Sequence, residues 1–370
     1  MYYIVCMPSQ LLHTLFGEDV VAEIYRRLAT RYGIVAGKAF EKIQDTHRKA
    51  FALGCQGPDI FYHSQGRRPV GLEYGTLMHR RGAGIFTAGL LKMGLPDPPP
   101  DAEDIRLHRR EKGINSLGVY ALGYMTHAIL DRQAHSYIVY KSEFLLNGVS
   151  KREQYHAFFE RILDVLMLKK LRGADISGWD QNGILAETCE NPPLGLKELL
   201  ARALVLAYPE RAGKDEKLSR RIENTFLDCA VFYRLTDPSH TSFKTPGLGQ
   251  ILKMQIPLIY PENLPVDIDF LNLEHRPWYC PSGEEKEDNR SFPEIYAAAV
   301  NYAADILTVI IGKYLEDGFF PIKEAAQAIG NSGLSIVDET GKPCAPSRTG
   351  PLPLKEVLDQ QAALRGITIS

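Results

Sequence analysis

The segment from Leu117 to His135, LGVYALGYMTHAILDRQAH, constrains the fold of this chain more than any other stretch. Leu117, Val119, Ala121, Leu122, Met125, Ala128, Ile129 and Leu130 make a helix that is apolar almost all round, the pattern of a helix enclosed by others. Within it His127, Asp131 and His135 recur at four-residue intervals, so they stack along one face at about 6 Å per step. Burying such groups unpaired costs several kcal/mol. A bound cation removes that cost, with neutral imidazoles as donors and the central carboxylate within reach of ions on either side. An exposed His/Asp stripe, or a self-paired His–Asp hydrogen bond, has the same spacing, so the row alone leaves both accounts open.

The rest of the chain is also dominated by helical periodicity. Asp19 to Tyr32 sets Val20, Val21, Ile24, Tyr25 and Leu28 against Arg26 and Arg27 and stops at Gly33. Similar patterns predict helices over 38–53, 73–93, 115–137, 151–171, 196–208, 215–235, 247–259 and 293–316, with a short one near 354–365. Period-2 runs are few, which favours an all-α multi-helix bundle around a polar interior site. LPDPPPD at 95–101 and the Pro-rich, charged 261–293 break the pattern, and the latter reads as a long irregular loop. The expected organisation is a helical metal-binding catalytic domain over 1–318 with a C-terminal extension, 319–370, packed on it.

A formal charge of -2 supplies no basic field for a phosphate backbone, so dedicated nucleic-acid binding is not expected, while a local site leaves room for a small anionic ligand. The six cysteines include no CxxC pair, which points to reduced thiols rather than a disulfide scaffold or thiolate zinc site. MYYIVCMPSQLLH lacks a signal-peptide pattern, and no uninterrupted apolar run suggests a transmembrane segment. The expected location is the cytoplasm, with Met1 or Met7 as the start.

Further ligand-type residues accumulate around the row. EQYHAFFERILD places His156 and Glu160 four apart among Phe158, Phe159, Ile162 and Leu163, and Asp164 continues that row. GTLMHRR carries His79 on another helix, and CQGPDIFYH sets Asp59 after a Gly-Pro at a helix entrance, where an N-cap role is the alternative. His13 in MPSQLLHTLFGEDV is either a further ligand or a partly buried core histidine.

The order His13, GPD with Asp59, His79, His127-x3-Asp131-x3-His135 and His156-x3-Glu160 resembles the zinc-dependent phospholipase C family, relatives of the P1-type nucleases, over about residues 7–170. FLNLEHRPW at 270–278 is similar to a segment of bacterial members. The resemblance implies an all-α fold with two or three zinc ions. Asp59, His79, His127 and Asp131 would hold one ion, His135, His156 and Glu160 a second, and His13 with Asp131 would contribute to a third, which makes Asp131 a bridge. Two departures stand out: the secreted prototypes complete their third site with a processed N-terminal amine, and their interval corresponding to Asp131–His135 is longer. Imidazole and carboxylate ligands by themselves also accept manganese or iron.

The expected activity is metal-assisted hydrolysis of a phospholipid or other small phosphodiester, with metal-activated water as nucleophile and Asp59 as general base. A P1-like nuclease and a non-catalytic metal-binding protein are the alternatives, the first asking for aromatic stacking and a basic approach surface. Around the site, His63 and Tyr62 are candidates to line the pocket, and Asp164 to hydrogen-bond a ligand histidine. Tyr124, like Tyr120, shares the helical face of His127, as core packing or pocket wall; His275 and Trp278 are candidate lid residues; His47, Arg80 and Arg81 read as surface. Oligomeric state is not encoded in these features.

Overall fold

The computed structural model describes residues 10–33, 47–95, 114–142, 150–238, 256–282, 287–318, 320–338, 340–342 and 344–367. These residues are mostly helical, as the periodicity predicts. The helices are α1 (Leu11–Tyr32), α2 (Arg48–Gly54), α3 (Leu72–Arg80), α4 (Ala83–Gly94), α5 (Ser116–Ser142) and α6 (Ser150–Arg172). They continue with α7 (Gln181–Glu190), α8 (Leu196–Ala207), α9 (Leu218–Leu235), α10 (Phe292–Asp317), α11 (Ile322–Ile329) and α12 (Leu354–Leu364). A 3-10 helix, Gly57–His63, follows α2.

The all-round apolar helix is the axis of the fold. Every residue of α5 from Gly118 to Asp131 is buried, and α5 packs against α1, α2, α4, α6 and α10. Contact with α2 is close because Gly123 faces it: a Cβ there would lie 2.7 Å from the Phe51 carbonyl oxygen. Around this axis the apolar faces of the other helices close one continuous core.

Several boundaries differ from the periodicity. The 73–93 pattern is two helices, because Arg81 is extended and Gly82 has φ +72°. Residues remote in sequence fix that break: the Tyr208 hydroxyl donates to the Arg81 carbonyl at 2.7 Å and the Gly82 amide donates to Asn331 at 2.8 Å. Helix α1 starts at Leu11 rather than Asp19, so His13 is helical. α7 and α11 have no counterpart in the predicted pattern; α7 carries Gly183, Asn182 and Thr188, all weak helix formers. The predicted 247–259 helix lies outside the described residues up to 255, and Ile256–Leu258 is a 3-10 turn. Residues 38–46 and 96–101 are likewise outside them.

The irregular excursion contains one small ladder, β1 (Trp278–Tyr279) paired antiparallel with β2 (Glu287–Asp288). Ser291 and Glu294 then form a reciprocal capping box that starts α10. Phe292–Glu316 is, by length and composition alone, long and apolar enough to cross a membrane, although Glu294, Asp305 and Lys313 interrupt it and 56% of its most apolar window is buried against the rest of the fold. Beyond α11 the chain runs extended along the molecule: Leu334 donates to the His79 carbonyl, and Gly350 and Leu352 donate to the carbonyls of Tyr140 and Lys141. The described cysteines, Cys55, Cys189, Cys229, Cys280 and Cys344, are free thiols.

Candidate metal centre

Five elements bring the ligand-type residues together. α5 supplies His127, Asp131 and His135 from its buried face, and α6 supplies His156 and Glu160. The 3-10 helix delivers Asp59, which is its third residue and not an N-cap. Gly57 makes that approach feasible: its φ is +55°, and a Cβ would run into the His127 ring. His79 comes from the last turn of α3 and His13 from the first turn of α1.

The eight side chains form three groups that could hold metal ions: His13, Asp59 and His127; His79, His127 and Asp131; and His135, His156 and Glu160. Within each group the ligand atoms lie within 4.8 Å of one another. Asp131 faces both ways. Its Oδ2 is 3.2 Å from His127 Nε2 and 3.7 Å from His79 Nε2, while its Oδ1 is 3.4 Å from His13 Nε2 and 3.8 Å from His135 Nδ1. The His13 ring stacks on His127 with centroids 3.9 Å apart, so His13 is a member of this cluster and not an isolated core histidine.

The protein fixes the histidine tautomers. His79 Nδ1 is 2.8 Å from the Gly75 carbonyl and His127 Nδ1 is 3.0 Å from the Cys55 carbonyl. A carbonyl only accepts, so each Nδ1 carries the proton and each Nε2 presents a lone pair to the cluster. Ser142 does the same for His156, because its hydroxyl proton goes to the Ile138 carbonyl at 2.7 Å and its oxygen, 3.2 Å from His156 Nδ1, accepts. His156 Nε2 then faces Glu160 Oε1 at 3.2 Å and His135 Nε2 at 3.3 Å. The Nε2 lone pairs of His79, His127 and His156 thus point at carboxylate oxygens, an arrangement that a proton or a cation between them can satisfy. Asp59 Oδ1 and Oδ2, His127 Nε2, Asp131 Oδ2, His135 Nδ1 and Glu160 Oε2 are buried and form no hydrogen bond, so the groups could hold metal ions.

The electrostatics follow the same division. Burial opposes a charge on His127, but the Asp131 and Asp59 carboxylates outweigh it and push the imidazole up to about 9. Burial likewise opposes a charge on His79, and Asp59 raises it nonetheless. Asp131 is held well below the usual carboxylate range, since His127 and His135 overcome its burial. Burial dominates elsewhere: it lowers His13 and His135, pushes His156 down to about 4, and drives Glu160 well above the ordinary range.

The other candidates take varied places. Tyr62 packs on the His79 ring at 4.8 Å and Tyr124 donates to Met78 Sδ at 3.1 Å, 6.5 Å from the His127 ring. His63 is buried and stacks on Phe232 at 3.8 Å. Asp164 accepts from the Leu12 amide at 2.6 Å and from Arg161 at 3.2 Å, so it anchors the turn that carries His13. His275 is exposed, with Nδ1 3.1 Å from the Asn289 carbonyl and 3.4 Å from Glu294, while Trp278 is buried against Tyr137 and Tyr140. These contacts hold the excursion to α5 and the start of α10. His47 is half-buried and bonds Ser116 Oγ at 2.9 Å; Arg80 and Arg81 are exposed. Sequence reading missed Ser142 and Arg161, although an arginine between Phe159 and Leu163 in an otherwise apolar run is itself a signal. Comparison with protein-family models, with curated proteins and with solved structures finds no match to this chain.

Proposed function

We propose that this chain is a metal-dependent phosphoric ester hydrolase of the zinc-dependent phospholipase C type, acting on a phospholipid or another small phosphodiester. The observation that carries the reading is the convergence of lone pairs and unbonded carboxylate oxygens from His79, His127, His156, Asp59, Asp131 and Glu160 on shared space. The mixed imidazole and carboxylate set suits zinc, with Asp131 bridging the His127 and His135 sides. Bound there, the ions would activate a water and neutralise phosphoryl oxygens. With two divalent ions held, the three carboxylates Asp59, Asp131 and Glu160 leave one net positive charge, so the filled centre favours an anionic guest. Asp59, whose two oxygens accept no hydrogen bond, would take the proton from the attacking water once metal is bound. His127 and His79 orient the acceptor side, because their Nδ1 protons are tied to backbone carbonyls.

One observation favours a second reading, a metal-binding protein without catalysis: all eight ligand residues are buried or nearly so, and the most accessible side chain, His79, is only 12% exposed. Hydrolysis of bis-p-nitrophenyl phosphate by the metal-loaded protein, abolished by chelation, is expected for the enzyme. Metal-loaded protein that leaves this ester and phosphatidylcholine intact is the result that favours the second reading, and cleavage of single-stranded DNA in preference to phosphatidylcholine points to a P1-like nuclease.

A further inference from the structure

Helix α3 carries His79 in its last turn and packs chiefly on the 3-10 helix rather than on α5, the helix of Asp131. The chain turns extended at Arg81, so no helical backbone continues beyond this ligand to hold it. A helix end leaves carbonyls without intrahelical partners. The His79 carbonyl finds one outside the helix, the Leu334 amide, which donates to it at 2.8 Å. Leu334 closes a short strap, 330–334, that follows α11 in the C-terminal extension.

The other side of the strap is held by Arg132, the residue after Asp131 on α5. Arg132 Nη1 donates to Ser332 Oγ at 2.7 Å, and its Nη2 donates to the Ser332 and Gly330 carbonyls at 2.6 and 3.2 Å. Its Nε is buried and bonds nothing, so among the described residues every hydrogen bond of this guanidinium goes to the strap. Between the two attachments Asn331 caps the start of α4, its carbonyl accepting from the Gly82 amide and its Oδ1 from the Ile85 amide, both at 2.8 Å. The fit is at contact distance: a Cβ at Gly333 would lie 3.0 Å from the His79 carbonyl oxygen, and one at Gly330, whose φ is +82°, would lie 3.2 Å from Arg132 Nη1. Hydrogen bonds thus run from His79 through the strap to the neighbour of Asp131.

We propose that the strap 330–334 is a positioning element of the metal centre: by tying His79 on α3 to Arg132 on α5 it sets the gap between His79 and Asp131, and the C-terminal extension thereby tunes the His79, His127 and Asp131 group. The inference rests on the reading of these residues as the metal centre of a hydrolase. Zinc takes nitrogen and oxygen at about 2.0–2.2 Å, so the 3.7 Å between His79 Nε2 and Asp131 Oδ2 spans one ion and leaves little slack for either helix to slide. The relation is reciprocal: whatever the docked strap adds to ion affinity, the ion adds to docking of the strap. His135, His156 and Glu160 come from α5 and α6, and among the described residues no hydrogen bond of the strap reaches α6, so that group is an internal control.

The test compares the full chain as wild type, Arg132→Met, Arg132→Lys and Ser332→Ala, with zinc affinity read by competition with a chromophoric chelator and deuterium uptake of 330–334 read by mass spectrometry. Arg132→Met should weaken one class of zinc site by about 10–100-fold, the range for losing a group that supports a ligand, and that class should be the one His79→Ala removes. Ser332→Ala should weaken the same class by about tenfold, and Arg132→Lys, which keeps the charge and a donor, should recover part of the loss. Zinc should slow deuterium uptake of the strap in wild type and slow it less in Arg132→Met. A role confined to holding the fold together would lower the melting temperature of chelated protein without separating the two classes of site. If Arg132→Met does not fold, Ser332→Ala decides alone. If wild type itself takes up no zinc, the hydrolase reading fails and histidine-ring NMR of the chelated chain decides: a His79 signal moved by Ser332→Ala with His156 in place keeps the strap's hold on His79, and any other pattern overturns it. Strap variants that bind every zinc equivalent as tightly as wild type, or that lose both classes alike, overturn the proposal.

Discussion

With its Nδ1 committed to the Gly75 carbonyl, neutral His79 turns a lone pair toward Asp59 Oδ1, 2.9 Å away. Two acceptors this close repel unless a proton or a metal ion sits between them. The raised pKa of His79 is the proton's answer to that gap, and under the proposed function a divalent cation takes the proton's place. His127 and His156 face Asp131 and Glu160 in the same way.

Asp131→Ala should cost more than one metal equivalent per chain, because its two oxygens face different histidines. Elemental analysis of the purified variant checks this. Loss of one equivalent or none contradicts the bridge.

Ser142→Ala removes the acceptor that fixes the His156 tautomer. Affinity at the His135, His156 and Glu160 group should fall by about 10–100-fold, the range for losing such a supporting hydrogen bond. Competition with a chromophoric chelator reads the change, and the His79, His127 and Asp131 group should keep its affinity. An equal loss at both groups would argue for general damage to the fold.

Protons and metal compete for the same gaps, which sets opposite pH trends for the empty and loaded protein. In the metal-free fold His127 is raised from 6.5 to about 9, so the stability it contributes is full below pH 6.5 and is lost as pH rises through 9. Glu160, also raised, has the same sign: its contribution declines once pH exceeds the ordinary carboxylate range and is lost as pH rises through its own elevated value. The melting temperature of chelated protein should therefore fall between pH 6.5 and 9. That of metal-loaded protein should rise over the same window as protons cease to compete. Thermal melts at the two pH values decide; parallel trends would show that metal and proton do not share the site.

Gly57→Ala puts a side chain into the His127 ring and requires a left-handed backbone of a residue with a Cβ. The conformation alone costs about 1–2 kcal/mol. Denaturant unfolding should register at least that loss, and metal content should drop at the His127 groups while His135, His156 and Glu160 retain theirs.

The features legible in the sequence are those that repeat at the period of a helix. His127, Asp131 and His135, and His156 with Glu160, show themselves because i, i+4 spacing forces them onto one face. Their enclosure is legible too, since the apolar residues around them leave α5 no solvent side from Gly118 to Asp131. What pattern cannot carry is set by distant partners: the break at Arg81 depends on Tyr208 and Asn331, and the helical state of His13 on an amide held by Asp164. Tautomer control was invisible because carbonyls of Gly75 and Cys55 belong to the backbone, whose position no residue name reveals.

The most direct measurement is elemental analysis of protein purified without chelator. About two or three divalent metal ions per chain, with zinc prominent, is the expected result for the three grouped sites. A metal-free protein that also refuses added zinc would contradict the account, leaving the row from His127 to His135 as a structural network of protonated histidines and carboxylates.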